Sequence, residues 1–165
     1  MPYVHTVMSS PVGALTLVAG EQGLSAVLWE NDDPMRVRIG RGQPDDDHPM
    51  LMETRQQLSE YFAGQRRSFS IALDFHGTAF QCRVWHALLA IPFGETRSYG
   101  QIAAQIGHPN AVRAVGSANG RNPISIIVPC HRVIGASGRL TGFAGGVTAK
   151  DFLLRLEGQR NLFGQ

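Results

Sequence analysis

The sequence is poor in cysteine and has no long apolar run, and these absences exclude several classes of protein. Its 165 residues include two cysteines, Cys82 and Cys130, 48 positions apart. They are too few and too far apart for a disulfide framework or a zinc site built from cysteine pairs. No run of about 18 apolar residues could span a membrane, and the first residues lack the pattern of a secretion signal. We therefore expect a protein of the reducing cytoplasm that does not partner with a membrane.

The chain also lacks a large net charge, but its charges are unevenly distributed. The formal total is +2. Residues 1–79 carry 6 Lys and Arg against 10 Asp and Glu, or −4, whereas residues 80–165 carry 9 against 3, or +6. Clustered cations favour polyanions because they displace condensed counterions from phosphates. The second half is therefore a candidate for nucleic-acid binding, with a chance surface imbalance as the alternative.

The first half alternates short apolar runs with turns, which predicts an α/β domain over residues 1–76. The strand-like runs are residues 3–8, 14–19, 24–29 and 69–75. Gly20–Gly23 is typical of a hairpin turn, and residues 31–49 are polar and proline-bearing, so we expect them to be irregular. Apolar residues from Leu51 to Phe62 recur at helical spacing before Gly64, which predicts one helix against the sheet.

The second half shows helical spacing and helix-capping residues. Thr78 is placed to cap a first helix. Ser98 is placed to cap a short second helix that ends at Gly107, and another short helix follows over residues 110–119. Two short helices joined by a tight turn predict a helix-turn-helix inside a mainly α domain over residues 77–165.

The helix over residues 110–119 is unusual because small residues surround one long cation. Gly116 costs about 1 kcal/mol against alanine in a helix, so we expect something to pack tightly against it. Arg113 has three possible positions, against phosphates, between bases or in solvent, and periodicity does not choose among them. The pattern leaves both DNA binding and packing inside the protein open.

The segment Pro129-Cys130-His131-Arg132 carries the strongest chemical signal. Imidazole and guanidinium groups near a thiol lower its pKa from about 8.5 and favour the thiolate. Neighbouring side chains on an extended segment point to opposite faces, so a bend or a water is needed for His131 to reach Cys130. Cys82 falls within a helical pattern and is assigned to packing.

Ordered motifs over residues 77–158 resemble those of the O6-alkylguanine-DNA alkyltransferases, the methylated-DNA–protein-cysteine methyltransferases. One such motif is weak evidence, but several in order are strong. Residues 1–76 resemble the family only in general layout, which implies a small antiparallel sheet of ribonuclease-H-like type. The motifs are Gly77-Thr78-Ala79-Phe80-Gln81, Val84-Trp85, Ile91-Pro92-Phe93-Gly94-Glu95-Thr96-Arg97-Ser98-Tyr99, Arg113-Ala114-Val115-Gly116, Asn122-Pro123, Ile127-Val128-Pro129-Cys130-His131-Arg132-Val133, Gly145-Gly146, Lys150, Leu153-Leu154 and Glu157-Gly158.

The resemblance implies direct-reversal DNA repair in which Cys130 is consumed. Cys130 would take the alkyl group from O6-alkylguanine, and from O4-alkylthymine, in duplex DNA, in a single irreversible turnover without a cofactor or metal. His131, a bridging water and Glu157 would activate the thiol, although Glu157 could equally be an ordinary surface residue. Asn122 would tie the recognition helix to the cysteine loop. Strand geometry favours a water-mediated link from His131 to Glu157, and leaves Arg132 as a loop anchor or a phosphate contact.

The resemblance also implies base flipping, because O6 of a stacked guanine is out of reach of a buried thiol. Arg113 would fill the vacated stack, and Tyr99 would rotate the 3′ phosphate and donate to the flipped base; Tyr99 as a core aromatic is the alternative. The remaining expected contacts are Ala114 and Ser117 with DNA and Val133, Phe143 and Ala144 with the base.

Phe143-Ala144 departs from the family pattern, in which many relatives have tyrosine followed by serine. The ring is kept but a hydroxyl is lost, so backbone N–H groups near Ala144 would have to serve. The rate and the tolerance for bulky alkyl groups are therefore open.

The sequence also predicts a partner and leaves two alternative functions open. We expect double-stranded DNA that contains O6-alkylguanine as the partner and a monomer in solution, with self-association along DNA left open. A non-catalytic damage sensor on the same fold is the main alternative, but such relatives carry tryptophan in place of the reactive cysteine. A helix-turn-helix regulator or a thiol hydrolase is the third hypothesis, and a hydrolase would turn over more than once.

Overall fold

A computed structural model describes residues 2–135 and 143–158. The strands are β1 (Val4–Met8), β2 (Leu15–Ala19), β3 (Leu24–Leu28), β4 (Gln43–Pro44), β5 (Arg97–Ser98) and β6 (Val133–Ile134). The helices are α1 (Pro49–Phe62), α2 (Ala79–Leu89), α3 (Tyr99–Gln105), α4 (Val112–Gly120) and α5 (Val147–Leu156), with a 3-10 turn at Cys130–Arg132. Within these described ranges, no helix has both the length and the apolar character needed to cross a membrane.

Residue contacts divide the chain into two compact units. The first contains residues 1–76 and 123–127, and the second contains residues 77–122 and 128–165. The predicted domain bounds of 1–76 and 77–165 stay a prediction, and the parts of the second domain at 136–142 and 159–165 lie outside the described residues.

The first unit is built on a four-stranded sheet in the order β3-β2-β1-β4. Three of the four predicted strands and the hairpin between β2 and β3 are confirmed, and every residue of both hairpin strands is buried. The sheet is mixed rather than purely antiparallel, because β4 pairs in parallel with β1. This fourth strand arises in the segment expected to be irregular, where the Gln43 N–H donates to the Tyr3 carbonyl at 3.1 Å.

The strand predicted over residues 69–75 is wrong. Leu73 forms only an isolated parallel bridge to Leu24 at the start of β3. Farther along β3, the Val27 N–H donates instead to the Pro123 carbonyl at 2.9 Å. The edge of β3 is thus shared by two short segments, so residues 69–75 have no continuous partner with which to build a ladder.

The second unit begins with the predicted helix caps. The Thr78 side chain accepts from the Gln81 N–H while the Gln81 side chain accepts from the Thr78 N–H, and Ser98 and Gln101 make the same reciprocal pair. Each pair satisfies two backbone donors that the first helical turn leaves without partners. The two caps therefore determine where α2 and α3 begin.

Helices α3 and α4 form the predicted helix-turn-helix, and the expected fold class is confirmed. The inner face of α4 buries Val115, Ala118 and Asn119. Of the two expectations for Gly116, tight packing inside the protein is not found, because a Cβ added there would lie 3.9 Å from the Tyr99 ring, an ordinary van der Waals contact, and close approach of DNA stays a prediction. The space beside Gly116 would therefore accept a methyl group.

Candidate active site

The backbone turns sharply on both sides of the Cys130 nitrogen. Pro129 has φ −82° and ψ 66°, and the Cys130 N–H donates to the Val128 carbonyl at 2.8 Å, which is an inverse γ-turn. A 3-10 turn follows, in which the Arg132 N–H donates to the Pro129 carbonyl at 3.0 Å. Of the two possibilities that the sequence left open for this segment, a bend or a water, the backbone shows the bend. These two turns bury Cys130, His131 and Arg132 together.

His131 contacts Glu157 directly. His131 Nε2 lies 2.8 Å from Glu157 Oε2, and neither side chain is exposed. The water expected between these residues is thus not needed. The expectation failed because it assumed strand geometry, whereas the 3-10 turn directs the imidazole toward the end of α5.

Arg132 points into the protein and anchors the cysteine loop. Its guanidinium donates from Nε to Glu157 Oε1 at 2.8 Å, from Nη2 to Glu157 Oε2 at 3.0 Å and from Nη1 to the Ile91 carbonyl at 2.6 Å. It also lies 5.8 Å from the centre of the Phe93 ring. Of the two sequence interpretations, loop anchor and phosphate contact, this geometry supports the anchor.

The electrostatics of this buried group fix the form of the imidazole. Burial alone would raise the pKa of Glu157, but the hydrogen bonds and charges of His131 and Arg132 outweigh it and lower the pKa to about 2. Burial lowers the pKa of His131 despite the raising effect of Glu157. An ionised carboxylate can only accept, so neutral His131 carries its proton on Nε2 and keeps a lone pair on Nδ1. That Nδ1 is buried and makes no hydrogen bond to a described protein atom.

Lys150 is a buried cation that sequence reasoning gave no role. Its ammonium donates to the Val133 carbonyl at 2.6 Å and lies 5.8 Å from the centre of the Phe143 ring. Burial lowers the pKa of Lys150 to about 8, while the charge of Cys130 opposes this shift. The coupling is reciprocal, so a charged Lys150 favours the thiolate of Cys130.

Two asparagines, one in the last turn of α4 and one just after it, hold the turn at the cysteine. The Asn122 amide donates to the Val128 carbonyl at 2.8 Å, close to the role expected for it. The Asn119 amide donates to the carbonyl of Cys130 itself at 3.4 Å. Asn119 was missed, although its spacing from Val115 marked it as a residue of the inner helix face.

The expected DNA-contacting residues lie on α3 and α4. Parallel pairing of β5 with β6 aligns Ser98 with Ile134, which brings the start of α3 beside the strand that follows the cysteine turn. Tyr99, the first residue of α3, is half-buried. On α4 the outward residues Arg113, Ala114 and Ser117 are exposed.

The expected base-contacting residues come from two segments of the second unit. Val133 is fully buried at the start of β6. Phe143 is half-buried and Ala144 exposed, just before α5.

Comparison with known families decides the relationship. Two family profiles, described as the ribonuclease-like domain and the DNA binding domain of 6-O-methylguanine DNA methyltransferase, match residues 3–75 and 79–159. This chain belongs to that family. The match covers both halves, including the first half, where sequence motifs alone were weak.

Individual members of the family are similar over nearly their whole length. A methylated-DNA–protein-cysteine methyltransferase from Methanosarcina acetivorans is 49% identical and covers 93% of this chain and 97% of its own. The crystal structure of Mycobacterium tuberculosis OGT in complex with DNA has a TM-score of 0.83 and 51% identity, covering 94% of this chain and 91% of its own. A methylated-DNA–protein-cysteine methyltransferase from Mycobacterium bovis is 51% identical and covers 94% of this chain and 93% of its own.

Proposed function

We propose that this chain repairs alkylated DNA by transferring the alkyl group of O6-alkylguanine to Cys130. The observation that carries the proposal is a buried thiol followed by His131, whose Nδ1 lone pair is unpaired and whose Nε2 is held by ionised Glu157. Cys130, His131 and Glu157 thus supply the residue types of a nucleophile, a base and a group that orients the base. Membership of the 6-O-methylguanine DNA methyltransferase family supports the same reaction.

The thiol proton leaves toward His131. Nδ1 is the open lone pair on the imidazole, and the Glu157 carboxylate stabilises the imidazolium that forms when Nδ1 takes the proton. Arg132 keeps Glu157 ionised throughout, since it donates to both carboxylate oxygens. Lys150 adds a positive charge that stabilises the resulting thiolate.

The transfer is a displacement at the alkyl carbon. Thiolate sulfur forms a bond to that carbon, and the bond between the carbon and guanine O6 breaks with its electron pair staying on guanine. Guanine then takes up one proton at N1, which balances the proton that the thiol lost. The thioether has no leaving group of comparable quality, so each molecule acts once.

DNA docking is assigned to the outer face of α4. This face combines one long cation, Arg113, with small residues at Ala114 and Ser117, so the backbone can approach a groove closely. The buried thiol requires that the target nucleotide leave the stack, and Arg113 is the side chain of α4 long enough to occupy the space left behind. Tyr99 at the start of α3 would contact the 3′ phosphate and the flipped base.

The base itself would lie between Val133 and Phe143. The Phe143 ring offers a stacking face but no hydroxyl, so hydrogen bonds to the base fall to backbone groups, including those near Ala144. O4-alkylthymine would enter the same site, and this second substrate is part of the proposal.

The proposal also covers the cellular compartment, the oligomeric state and the alternative function. Two free cysteines, one of them the nucleophile, support action in the reducing cytoplasm. We assign a monomer as the active form, with association along DNA as a separate property. A damage sensor is not favoured, because the reactive cysteine is present.

Intact mass spectrometry tests the proposal. Incubation with a duplex that contains one O6-methylguanine should add one methyl group per protein molecule, confined to the peptide that carries Cys130. A folded, reduced sample that gains no methyl group would refute the proposed function.

Two cysteine variants provide matched controls. Cys82→Ser removes the half-buried cysteine of α2 and should still gain the methyl group. Cys130→Ser should gain none and should keep its affinity for the duplex. A methyl group found on Cys82 instead would show that Cys130 is not the acceptor and would refute the proposed assignment.

A further inference from the structure

Asn119 is a buried amide on the inner face of the helix that is assigned to DNA. It is 4% exposed, and it shares that face with the apolar residues Val115 and Ala118. A polar side chain in such a position needs hydrogen bonds to offset the loss of water. An apolar residue would fill the same space without this requirement, so the amide needs a reason to be there.

The donor of this amide is directed at the nucleophile. Asn119 Nδ2 lies 3.4 Å from the Cys130 carbonyl, which also accepts from the Val133 N–H. Asn122 Nδ2 lies 2.8 Å from the Val128 carbonyl. The two amides thus bind the Val128 and Cys130 carbonyls, one at each end of the inverse γ-turn.

The orientation of the amide is fixed by what it faces. A flipped Asn119 would set its oxygen against the Cys130 carbonyl, and two acceptors repel each other. Its Oδ1 is then buried without a hydrogen-bond partner. Among the described residues, three buried side-chain polar atoms make no hydrogen bond to another protein atom, and two of them belong to Asn119, which donates to the Cys130 carbonyl, and to His131, which follows Cys130 in the chain. Unpaired polar atoms kept at one place indicate a functional constraint there.

We propose that Asn119 is a positioning residue for alkyl transfer, whose side-chain amide fixes the backbone of Cys130 to helix α4. The inference rests on the proposed function and adds a second tie to that made by Asn122. With both ties, the α-carbon of Cys130 is held from the carbonyl before Pro129 and from its own carbonyl. A base placed by α4 is then in register with the sulfur before the reaction begins.

The test compares three variants at saturating O6-methylguanine duplex. Asn119→Ala removes the amide. Asn119→Asp keeps the shape but replaces the donor with an oxygen, so it answers the question alone if the alanine variant does not fold. Val115→Ala is the matched control, because it removes buried volume one helical turn earlier on the same face of α4 and removes no hydrogen bond to Cys130. Transfer rate, duplex affinity and melting temperature are measured for each variant.

Both Asn119 variants should slow transfer roughly tenfold, the factor for one lost hydrogen bond of ordinary strength. Duplex affinity should be unchanged, and the reaction with free O6-benzylguanine, a base that α4 does not place, should be slowed by a smaller factor. The ratio of Asn119→Asp to wild type should recover as pH falls, because a protonated carboxyl can again donate to the Cys130 carbonyl. Val115→Ala should lower the melting temperature and leave the transfer rate unchanged.

Two results would overturn the inference. One is a folded Asn119→Asp protein that transfers at the wild-type rate over the whole pH range. The other is Val115→Ala slowing transfer as much as Asn119→Ala, which would mean general loosening of α4. A wild-type protein that forms no thioether would instead refute the proposed function, so the two failures are distinguishable.

Discussion

The two units bury different kinds of polar group. In the described part of the first unit the polar residues that are buried as whole residues are all neutral, namely Thr6, Thr16, Ser25, Thr54, Gln57 and Ser125, and the least exposed charged side chain of an ion pair there, Asp32 at 7%, is paired with Arg36. In the described part of the second unit they are Asn119, Asn122, His131, Arg132, Lys150 and Glu157, four of which are titratable or charged. Burying a charge costs far more than burying a hydroxyl, so a fold keeps buried charges where they serve chemistry or specificity. The comparison agrees with a structural role for the first set and with the reaction proposed for the site that contains the second.

The neutral set shows what structural burial requires. The Thr54 hydroxyl donates to the Met50 carbonyl at 2.8 Å, one turn back in α1. The Gln57 amide accepts from the Ser70 N–H at 2.9 Å and so holds the chain that follows α1. Neither side chain keeps a buried polar atom without a protein partner, whereas Asn119 and His131 each keep an acceptor that makes no hydrogen bond to a described protein atom.

The largest effect is expected from Glu157→Gln, which removes the buried negative charge that pairs with His131 and Arg132. Removing one partner of a buried ion pair leaves the Arg132 guanidinium uncompensated and should lower the free energy of unfolding by about 3–5 kcal/mol. The amide also no longer stabilises an imidazolium on His131, so transfer should slow by roughly 100-fold or more. Urea unfolding and single-turnover kinetics measure the two losses.

Thr54→Val is the counterpart in the neutral set. Valine has nearly the size of threonine but replaces the buried hydroxyl with a methyl group. The free energy of unfolding should change by no more than about 1 kcal/mol, and the rate of alkyl transfer should be unchanged. Equal effects from the two variants would remove the distinction between the units.

The second largest effect is expected when pH is lowered, because the free energy of unfolding should fall with it. The pKa of Glu157 is lowered from 4.5 to about 2 on folding, so its contribution is complete above 4.5 and is lost as pH falls toward 2. That contribution is about 3 kcal/mol. His131, whose pKa is lowered from 6.5 by burial, adds a loss of stability as pH falls below 6.5.

Urea unfolding at a series of pH values measures how the free energy of unfolding depends on pH. Wild-type stability should fall from pH 6.5 downward, whereas Glu157→Gln should lose less between pH 4.5 and pH 2. Parallel curves for the two proteins in that window would mean that Glu157 is not the group responsible.

A smaller effect is expected from Lys150→Met. Loss of a buried positive charge raises the pKa of the Cys130 thiol, so the rate of transfer from O6-benzylguanine at pH 7 should fall roughly tenfold for one pKa unit. The difference from wild type should shrink as pH rises, since the thiol ionises in both proteins.

The matched control is Arg155→Met, which removes an exposed cation from the same helix. Its pH profile should overlie that of the wild type. A profile for Lys150→Met that is displaced equally at all pH values would indicate altered packing rather than a changed thiol pKa.

The smallest effect is expected from Gly116→Ala, which tests a neutral position within the second unit. The added methyl group meets only the Tyr99 ring at 3.9 Å, and alanine is the better helix former. The melting temperature should rise, corresponding to about 0.5–1 kcal/mol. A fall would restore the original expectation of tight packing at this position.

Local interactions made much of the fold predictable. The caps at Thr78 and Ser98 and the hairpin between β2 and β3 depend on residues only a few positions apart, so their signals are visible in a linear sequence. Residues 69–75 had the same strand pattern, but their partner edge on β3 is shared with a distant segment, and no local signal reports that competition.

The sequence by itself determined the helix-turn-helix and the candidate nucleophile with its histidine neighbour, because these depend on short-range spacing, on residue chemistry and on the order of motifs that resemble a known family. The direct contact of His131 with Glu157 joins positions 26 apart, and the approach of Asn119 to Cys130 joins positions 11 apart. Both depend on how α5 and α4 pack around the cysteine turn. Only tertiary structure could decide these contacts, and with them the buried setting that shifts the pKa values of Glu157, His131 and Lys150, because burial and charge proximity are properties of the packed chain.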